Sequence, residues 1–390
     1  MAIKLSELYD TTNKKDIKLV AGKGGMDNVV RWAHMIEGIE ISTFLEGQEL
    51  SFITGIALEK EEGLFELVKH TYYNHASGMV INIGPYIKSI PDEVIEFCNE
   101  HNFPLFEIPW HVYMSNFIKS FCYQITISDR INIELSAAVK NAIFLPEQEN
   151  LYVPQFEMNN FNSDWEYGIS LIKILEKSTG KVIDEKRRSK LLKAIENMVT
   201  FTYERTFAFE LEGKFVLVFA QYSEKEISNI IEKVNKKFTE LLNKNEERYF
   251  SIGENTQNIK RLSKSYRKAM NILKLQEKKG KSGEIGIYSD LGLYKLLLSL
   301  EDKAVMKEYY KETIEPLVKH DELNGTDYML VLETYLKHSG SVKEVASQLF
   351  YHRNTINYKL AKIQEILSCD LSHLNTRVIY SVALMLRDVM

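Results

Sequence analysis

The C-terminal segment 327–367 constrains the fold of this chain most, because its helix start and stop signals follow one another at helix-turn-helix spacing. Asp327–His338 is amphipathic, and Gly340 just after it is a typical helix stop. Ser341 is placed to cap the next helix, and Glu344 three positions later completes the S-x-x-E pattern of a capping box. We therefore expect two helices joined by a short turn, with a third helix after them.

The third helix begins near His352 and runs through Leu367. Apolar residues recur on one side of it: Ile356, Leu360, Ile363 and Leu367. The first turn, the opposite face and the flank carry polar and cationic residues: Arg353, Asn354, Thr355, Asn357, Tyr358, Lys359 and Lys362. A recognition helix reads the major groove with its N-terminal end, where Arg can bind guanine and Asn adenine. These seven residues are predicted to bind double-stranded DNA.

The charge of the chain supports only a local DNA-binding patch. The net formal charge is −5, so no global basic field draws the chain to nucleic acid. Residues 335–366 carry a net charge of +3, whereas Asp321–Met390 carries −1. Phosphate contacts add up between copies, so we expect a homodimer or a higher even-numbered homo-oligomer.

Composition places the chain among globular proteins of two or three domains. It has 390 residues, of which 45% are hydrophobic and 26% charged. Three distant cysteines (Cys98, Cys122 and Cys369) give no disulfide framework. The first residues lack a secretory signal, and no apolar run is long enough to span a bilayer. We expect a cytoplasmic protein without membrane association.

Short strands and helices alternate in the first part of the chain, which predicts an α/β or α+β domain. The predicted strands are Phe52–Ile56, Met79–Ile83 and Leu105–Ile108, and the predicted helices are Ser6–Tyr9, Leu64–Tyr73 and Pro91–Glu100. A long connecting or dimer-forming helix is expected over 115–144. The stretch Leu145–Asp164, with two prolines and no periodicity, is interpreted as a linker.

The middle of the chain is again predicted to mix helix and strand, and the remainder is all helical. The predicted helices are Trp165–Ser178, Ile227–Asn243 and Lys260–Gln276, and the predicted strands are Thr206–Leu211, Phe215–Ala220 and Tyr249–Gly253. The resulting fold class is a multi-domain chain with α/β (α+β) N-terminal and middle domains and an all-α helix-turn-helix domain. The predicted domains are 1–125, 165–295 and 296–390, with a helix and linker over 126–164.

The run SVKEVASQLFYHRNTINYKLAKIQEILSCDL resembles the C-terminal helix-turn-helix of PucR-type transcriptional regulators. The family pattern is roughly H-R-N-T-x-x-Y-R/K-L-x-K-I after an alanine-leucine helix, and the match adds His352 to the predicted DNA-binding residues. The chain departs from the pattern where Phe350 and Tyr351 replace smaller residues and where Asn357 replaces a frequent arginine.

The resemblance extends to the rest of the chain. VAGKGGMDNVVRWAHMIE, FLEGQELSFITG and IPDEVIEFCNEHNFPLFEIPW look like the PucR N-terminal domain, and SIGENTQNIKRLSKSYRKAMNIL is similar to the family's GGDEF-like middle module. The resemblance implies a ligand-responsive transcriptional regulator, often of purine or other nitrogen-compound catabolism.

The N-terminal domain is where we expect a small-molecule effector, such as a purine or related metabolite, to bind. The candidate ligand-binding residues lie in the segments that resemble the family: Trp32, Glu37, Glu49, Thr54 and Gly55. An indole can stack on a planar ligand and a carboxylate can accept its N–H groups. The alternative is that Trp32 belongs to the core and Glu49 caps a turn.

No motif predicts catalysis, a metal or a cofactor. The glycines of Val20–Asn28 fit neither phosphate-loop pattern, the histidines offer no HExxH, and the predicted hairpin around Gly213 lacks the features of a cyclase. The cation-rich helix Lys260–Gln276 is interpreted as a charged surface, with a secondary phosphate contact as the alternative. Two further alternatives for the whole chain are a nucleotide-binding or signalling protein that acts through the middle domain, and a protein-interaction adaptor.

Overall fold

The computed structural model describes residues 2–58, 62–300 and 302–390. Three regions with separate hydrophobic cores follow one another along the chain. The first two are α/β and the third is all helical, so the predicted fold class is confirmed.

A mixed five-stranded sheet organises the N-terminal region. The strands of this region are β1 (Ile3–Lys4), β2 (Lys18–Ala21), β3 (Val29–Val30), β4 (Trp32–Met35), β5 (Glu49–Ile53), β6 (Gly78–Ile83) and β7 (Leu105–Pro109). The sheet order is β2-β7-β6-β5-β4; β4 to β7 are parallel, and β2 is antiparallel at the edge. The central β6 is buried on both faces, as its β-branched run predicts.

Helices cover both faces of this sheet. They are α1 (Leu5–Asp10), α2 (Ile39–Ser42), α3 (Glu62–Tyr73) and α4 (Asp92–Glu100). Leu67 of α3 and Val94 of α4 share a core with Ile81. Leu8 of α1 lies in the core on the other face.

The long helix α5 (Met114–Phe144) joins the N-terminal region to the middle region, and the predicted helix over 115–144 is confirmed. Phe121 belongs to the N-terminal core, whereas Leu135 belongs to the core of the middle region. Thirty-one residues of helix span about 46 Å. A single uninterrupted helix therefore links the two α/β regions.

The linker predicted for Leu145–Asp164 is wrong, because this segment is packed into the middle region. It forms a 3₁₀ turn (Glu149–Leu151) and helix α6 (Val153–Met158). Tyr152 and Phe156 are fully buried. Prolines and amides suggested a solvated chain, but widely spaced aromatic residues anchor the segment, and no periodicity reveals such anchors.

The helix predicted for Trp165–Ser178 is also wrong. The segment is strand β8 (Tyr167–Glu176), the central strand of the second sheet, and most of it is buried on both faces. A short apolar run fits a buried strand as well as a buried helix when periodicity alone is used. The β-branched residues Ile169, Ile172 and Ile174 were the signal that favoured the strand.

The sheet of the middle region has the order β12-β11-β8-β10-β9. Its further strands are β9 (Thr206–Leu211), β10 (Lys214–Ala220), β11 (Glu246–Ile252) and β12 (Ile285–Ile287), and its helices are α7 (Glu185–Met198), α8 (Glu224–Leu241) and α9 (Leu262–Lys278). The predicted hairpin is confirmed as the antiparallel pair β9–β10. α7 was not predicted. It packs with α8 on one face, and α5, α6 and α9 cover the other.

The C-terminal region is built from helices. They are α10 (Tyr294–Ser299), α11 (Lys303–Thr313), α12 (Glu315–Asn324), α13 (Tyr328–Lys337), α14 (Val342–Gln348), α15 (Arg353–Ile366) and α16 (Leu374–Val389). Residues from α12 to α16 share one core. In the described ranges, no helix has both the length and the apolar character that crossing a bilayer requires.

Polar contacts fix the regions against one another. Arg31 donates to Glu196 of α7 over 2.9 Å, and both side chains are 9% exposed. At the other junction, Asp388 of α16 accepts a hydrogen bond from Tyr294 at 2.6 Å and pairs with Lys279 at 3.1 Å. The C-terminal region is thus held to the end of α9.

Candidate nucleic-acid interface

Helices α13, α14 and α15 form the predicted helix-turn-helix, and α15 is the helix that the sequence predicts to be the recognition helix. Ile356 and Ile363 of α15 are fully buried, and Leu360 between them is 7% exposed. They pack in one core with Val345 of α14 and Val331 of α13. This packing directs the opposite side of α15 to solvent.

The capping box predicted at Ser341 is only half formed. The Ser341 hydroxyl accepts the backbone N–H of Glu344 at 3.4 Å. The Glu344 carboxylate does not accept the backbone N–H of Ser341, because it lies 2.9 Å from Nδ1 of His338 at the end of α13. The side chain that would close the box instead ties α14 to α13.

His352 is the N-cap of α15. Its Nδ1 accepts the backbone N–H of Asn354 at 3.2 Å, so this ring nitrogen is already used within the helix. Nε2 stays available at the exposed start of the helix. The residue therefore has a structural role beside any contact with DNA.

The exposed face of α15 carries four side chains that make no hydrogen bond or ion pair with another described residue: Arg353, Asn354, Asn357 and Tyr358. Tyr358 is 61% exposed. Thr355 is half-buried beside them. Lys362 is also half-buried and pairs with Glu365 at 2.7 Å. The face thus offers hydrogen-bonding groups without internal partners at the N-terminal end of a helix.

Lys359, by contrast, is turned into the domain and is only 14% exposed. Its ammonium donates to Asp327 at the start of α13 and lies 4.0 Å from the ring centre of Tyr351. The Tyr351 hydroxyl donates to the same carboxylate at 2.9 Å. Lys359 thus belongs to an internal network that positions α15 on α13, and its contact with DNA stays a prediction.

This network makes the stability of the helix-turn-helix sensitive to acid. Burial alone raises the pKa of the Asp327 carboxyl, but hydrogen bonds from Lys359 and Tyr351 outweigh it, so the pKa lies below its ordinary value. The stabilisation is present above the unfolded-state pKa, near 3.9, and is lost as pH falls through the lower folded-state pKa. We expect thermal stability to fall less steeply between about pH 6 and pH 3 in Asp327→Asn than in the wild type.

The measurement is thermal unfolding of the C-terminal region as a function of pH. Glu322→Gln, which removes an exposed carboxylate from α12, is the control. If the melting temperatures of the wild type and of Asp327→Asn fall equally with pH, this role of the network is excluded.

Phe350 occupies a left-handed conformation in the turn before α15. Its φ is +56° and its side chain is 94% exposed. The ring therefore contributes little packing, while its Cβ is strained in this conformation. Phe350→Gly is expected to stabilise the helix-turn-helix by about 0.5–1 kcal/mol, a balance of relieved strain and added chain entropy.

Thermal unfolding of Phe350→Ala provides the matched comparison, because alanine also loses the ring but keeps the Cβ. A glycine variant no more stable than the alanine variant would show that the turn is not strained.

The five candidate effector-binding residues lie at two opposite edges of the N-terminal sheet. Glu37, Thr54 and Gly55 follow the carboxyl ends of β4 and β5, whereas Trp32 and Glu49 stand at the amino ends of the same strands. The two edges are about 13–16 Å apart along the strands. The structure therefore does not gather the five residues into one pocket.

At the carboxyl edge, the Glu37 side chain is used within the domain. One carboxylate oxygen accepts the Thr54 hydroxyl at 2.7 Å and the Thr54 N–H at 3.0 Å, and the other accepts the Gly55 N–H at 3.0 Å. These bonds fix the loop after β5. The observed role of Glu37 is to shape this edge.

At the amino edge, Trp32 is 55% exposed, so it does not belong to the core. Glu49 accepts the N–H of Glu46 at 2.8 Å through one oxygen, while its other oxygen is buried and has no hydrogen-bond partner among the residues that the structure describes. Across the described residues, no group of three or more His, Cys, Asp or Glu side chains is placed to hold a metal ion.

Two parts of the chain match known protein families. Residues 7–125 match the purine catabolism regulatory protein-like family, PucR. Residues 328–386 match the PucR C-terminal helix-turn-helix domain, which contains α13, α14 and α15. The middle region lies outside both ranges, so its GGDEF-like character stays a prediction.

Curated relatives are transcriptional regulators. The chain is 37% identical over 139 residues to the proline-responsive transcriptional activator PutR of Bacillus subtilis (strain 168), covering 35% of this chain and 34% of that protein. It is 26% identical over 129 residues to the DNA-binding transcriptional activator AdeR of the same strain, covering 33% of this chain and 31% of AdeR. A third relative from that strain, the purine catabolism regulatory protein, is 28% identical over 107 residues, which cover 27% of this chain and 20% of the relative. The chain thus spans about a third or less of each of these relatives.

Proposed function

We propose that this chain, which carries the N-terminal and helix-turn-helix domains of PucR-type regulators, is a sequence-specific DNA-binding transcriptional regulator. The observation that carries the proposal is the exposed, internally unpaired polar face at the start of α15. A helix that is capped, packed on two others and polar on its free side is suited to enter the major groove.

The proposed roles follow from the geometry of each side chain. Arg353 in the first turn reads guanine through its guanidinium, and Asn354 and Asn357 read adenine or neighbouring acceptors. Tyr358 is placed one turn later on the same face. His352, Thr355 and Lys362 flank this face and contact the phosphate backbone, which also meets the N–H groups at the helix start.

Two copies of the chain act together in this proposal. Local charge is too small for strong non-specific binding, with a net of +3 over residues 335–366. Two recognition helices about 34 Å apart would contact successive major-groove faces of one operator. A homodimer or a higher even-numbered assembly supplies them.

The regulated genes belong, in this proposal, to the catabolism of a small nitrogen compound, and the protein acts in the cytoplasm. The relatives' names refer to proline in one case and to purine catabolism in another. An effector bound in the N-terminal region would shift the arrangement of the paired recognition helices, which requires different affinities for the two states. Regulation of this kind requires no catalysis by the middle region.

Capture of genomic fragments by the purified full chain tests the proposal. We expect enrichment of a few upstream fragments that share a two-fold symmetric sequence, and loss of this enrichment with Arg353→Ala. Repeating the capture with proline, purines and ureides identifies the effector. Equal recovery of all fragments, or the same enrichment by the variant, would contradict a recognition role for α15.

A further inference from the structure

The strongest concentration of positive charge lies on α9 of the middle region, away from the helix-turn-helix. Residues 260–281 contain nine Lys and Arg residues and one acidic residue, Glu277, in a chain whose net charge is −5. Five polar side chains recur at helical spacing along one side: Lys260, Lys264, Arg267, Asn271 and Lys274. This row of residues is called the α9 stripe.

Most cations of the α9 stripe have no anionic partner among the described residues. Lys260 pairs with Glu149 at 2.7 Å, and the neighbouring Lys268 pairs with Glu254. The other cations on or beside the stripe are exposed and make no ion pair or side-chain hydrogen bond within the described part of the chain: Arg261, Lys264, Arg267 and Lys274. Ordinary charged surfaces intersperse both signs, so this local excess of unpaired charge is a specific feature.

The α9 stripe lines two cavities at the surface, which together are called the trench. Two adjoining cavities of 760 and 420 Å³ both contact Arg267 and Asn271. Phe144 and Pro146, at and just after the end of α5, line the larger cavity, and Tyr288 lines the smaller one. The trench is thus concave and lies where the middle region meets the first helices of the C-terminal region.

We infer that this trench binds the polyphosphate group of a small molecule of nucleotide size. Cavities of 300–1,000 Å³ are typical of small-ligand sites, and such sites favour domain junctions. Lys264 to Lys274 span about 15 Å of α9, and Lys260 lies in the 3₁₀ turn just before it, which is enough length for several phosphates and a further group. Among the described residues that line the two cavities, Glu147 is the one carboxylate.

The size of the trench favours a small ligand over duplex DNA. The volumes of the two cavities are those of a small-molecule site, whereas a specific protein–DNA interface typically buries about 1,000–2,500 Å² of protein surface. Aromatic rings border the cations: Phe144 is 54% exposed, and Lys268 lies 4.3 Å from the ring centre of Tyr288. A flat base attached to the phosphates would have an aromatic surface beside it.

Binding of ATP to the full chain, without magnesium and at physiological salt, tests this inference by calorimetry. We expect a single saturable site that tripolyphosphate also occupies and adenosine does not. Lys264→Gln combined with Arg267→Gln should weaken ATP binding about tenfold or more, because charge-assisted hydrogen bonds are lost. The control combines Lys225→Gln and Lys236→Gln, which remove two exposed cations from α8, and should change affinity less than about twofold.

Both double variants are expected to fold, because all four substituted side chains are exposed. Thermal unfolding checks this expectation. Tripolyphosphate that binds as tightly as ATP assigns recognition to the phosphates alone, and tighter ATP binding adds a contribution from the base. Absence of saturable binding up to about 1 mM, the upper range of ordinary metabolite affinities, would overturn the inference. Equal weakening by the α8 control would also overturn it, because attraction would then reflect overall charge.

Discussion

Arg353→Ala is expected to lower the affinity of the chain for its operator by about 30-fold or more, because a contact worth about 1–3 kcal/mol is lost in each of two half-sites, and to relax specificity at one base pair of each half-site. Arg353 is exposed in the first turn of α15 and has no partner within the described residues, so its removal leaves the fold intact. The loss therefore reports on contact with DNA and not on unfolding. Affinity is measured on a fragment recovered by genomic capture, by fluorescence anisotropy at fixed salt.

The matched control is Lys311→Ala, which removes one exposed cation from α11 of the same region. It should reduce affinity for every DNA sequence slightly and equally, if at all. Arg353→Ala that weakens binding to all sequences uniformly would instead assign this residue to the phosphate backbone.

Phe156→Ala is expected to destabilise the middle region by about 3–5 kcal/mol. The Phe156 ring is fully buried, and its centre lies 5.8 Å from that of Tyr167 and 6.1 Å from that of Phe161. The substitution leaves a cavity between α6 and the second sheet. Hydrogen exchange of the β8 and β10 amides should accelerate by about 10²-fold or more if these amides exchange through opening of the whole region.

Met158→Ala in the same helix is the control, because its side chain is 80% exposed. It should change stability by no more than about 0.5 kcal/mol. Unchanged exchange in Phe156→Ala would mean that residues 145–164 act as the linker that their composition suggests.

The helix-turn-helix was predictable because local signals decide it. Gly340 and Ser341 mark a helix end and a helix start, and the stripe of Ile356, Leu360 and Ile363 defines the buried side of α15. Each signal acts within a few residues, so sequence spacing alone locates the elements. The exposed face of α15 follows from the same spacing.

Contacts between residues far apart in sequence determine two features that local patterns do not show, namely the strand β8 and the orientation of Lys359. β8 is a strand because β10 and β11 pair with it on either side, and the periodicity of its apolar residues alone does not separate such a strand from a buried helix. Lys359 lies at a position that spacing alone cannot assign to solvent or core, and Asp327, 32 residues away, turns it inward. Long-range partners of this kind are visible only in the folded chain.

The candidate effector site illustrates the same limit. Trp32 and Glu37 are near in sequence but stand at opposite ends of β4, because a strand separates its ends by about 3.3 Å for each residue. The family resemblance located the domain but not which residues of it meet in space. The carboxyl edge, where ligands commonly bind in open α/β sheets, contains Glu37, Thr54 and Gly55.

The measurement that tests the central proposal most directly is the ratio of two affinities at about 150 mM salt. One is for a captured genomic fragment, and the other is for a duplex of the same composition in scrambled order. A sequence-specific regulator predicts a ratio of about 10³ or more, lost in large part with Arg353→Ala. A ratio near one, unchanged by the substitution, would contradict the assignment of α15 as a reader of DNA sequence.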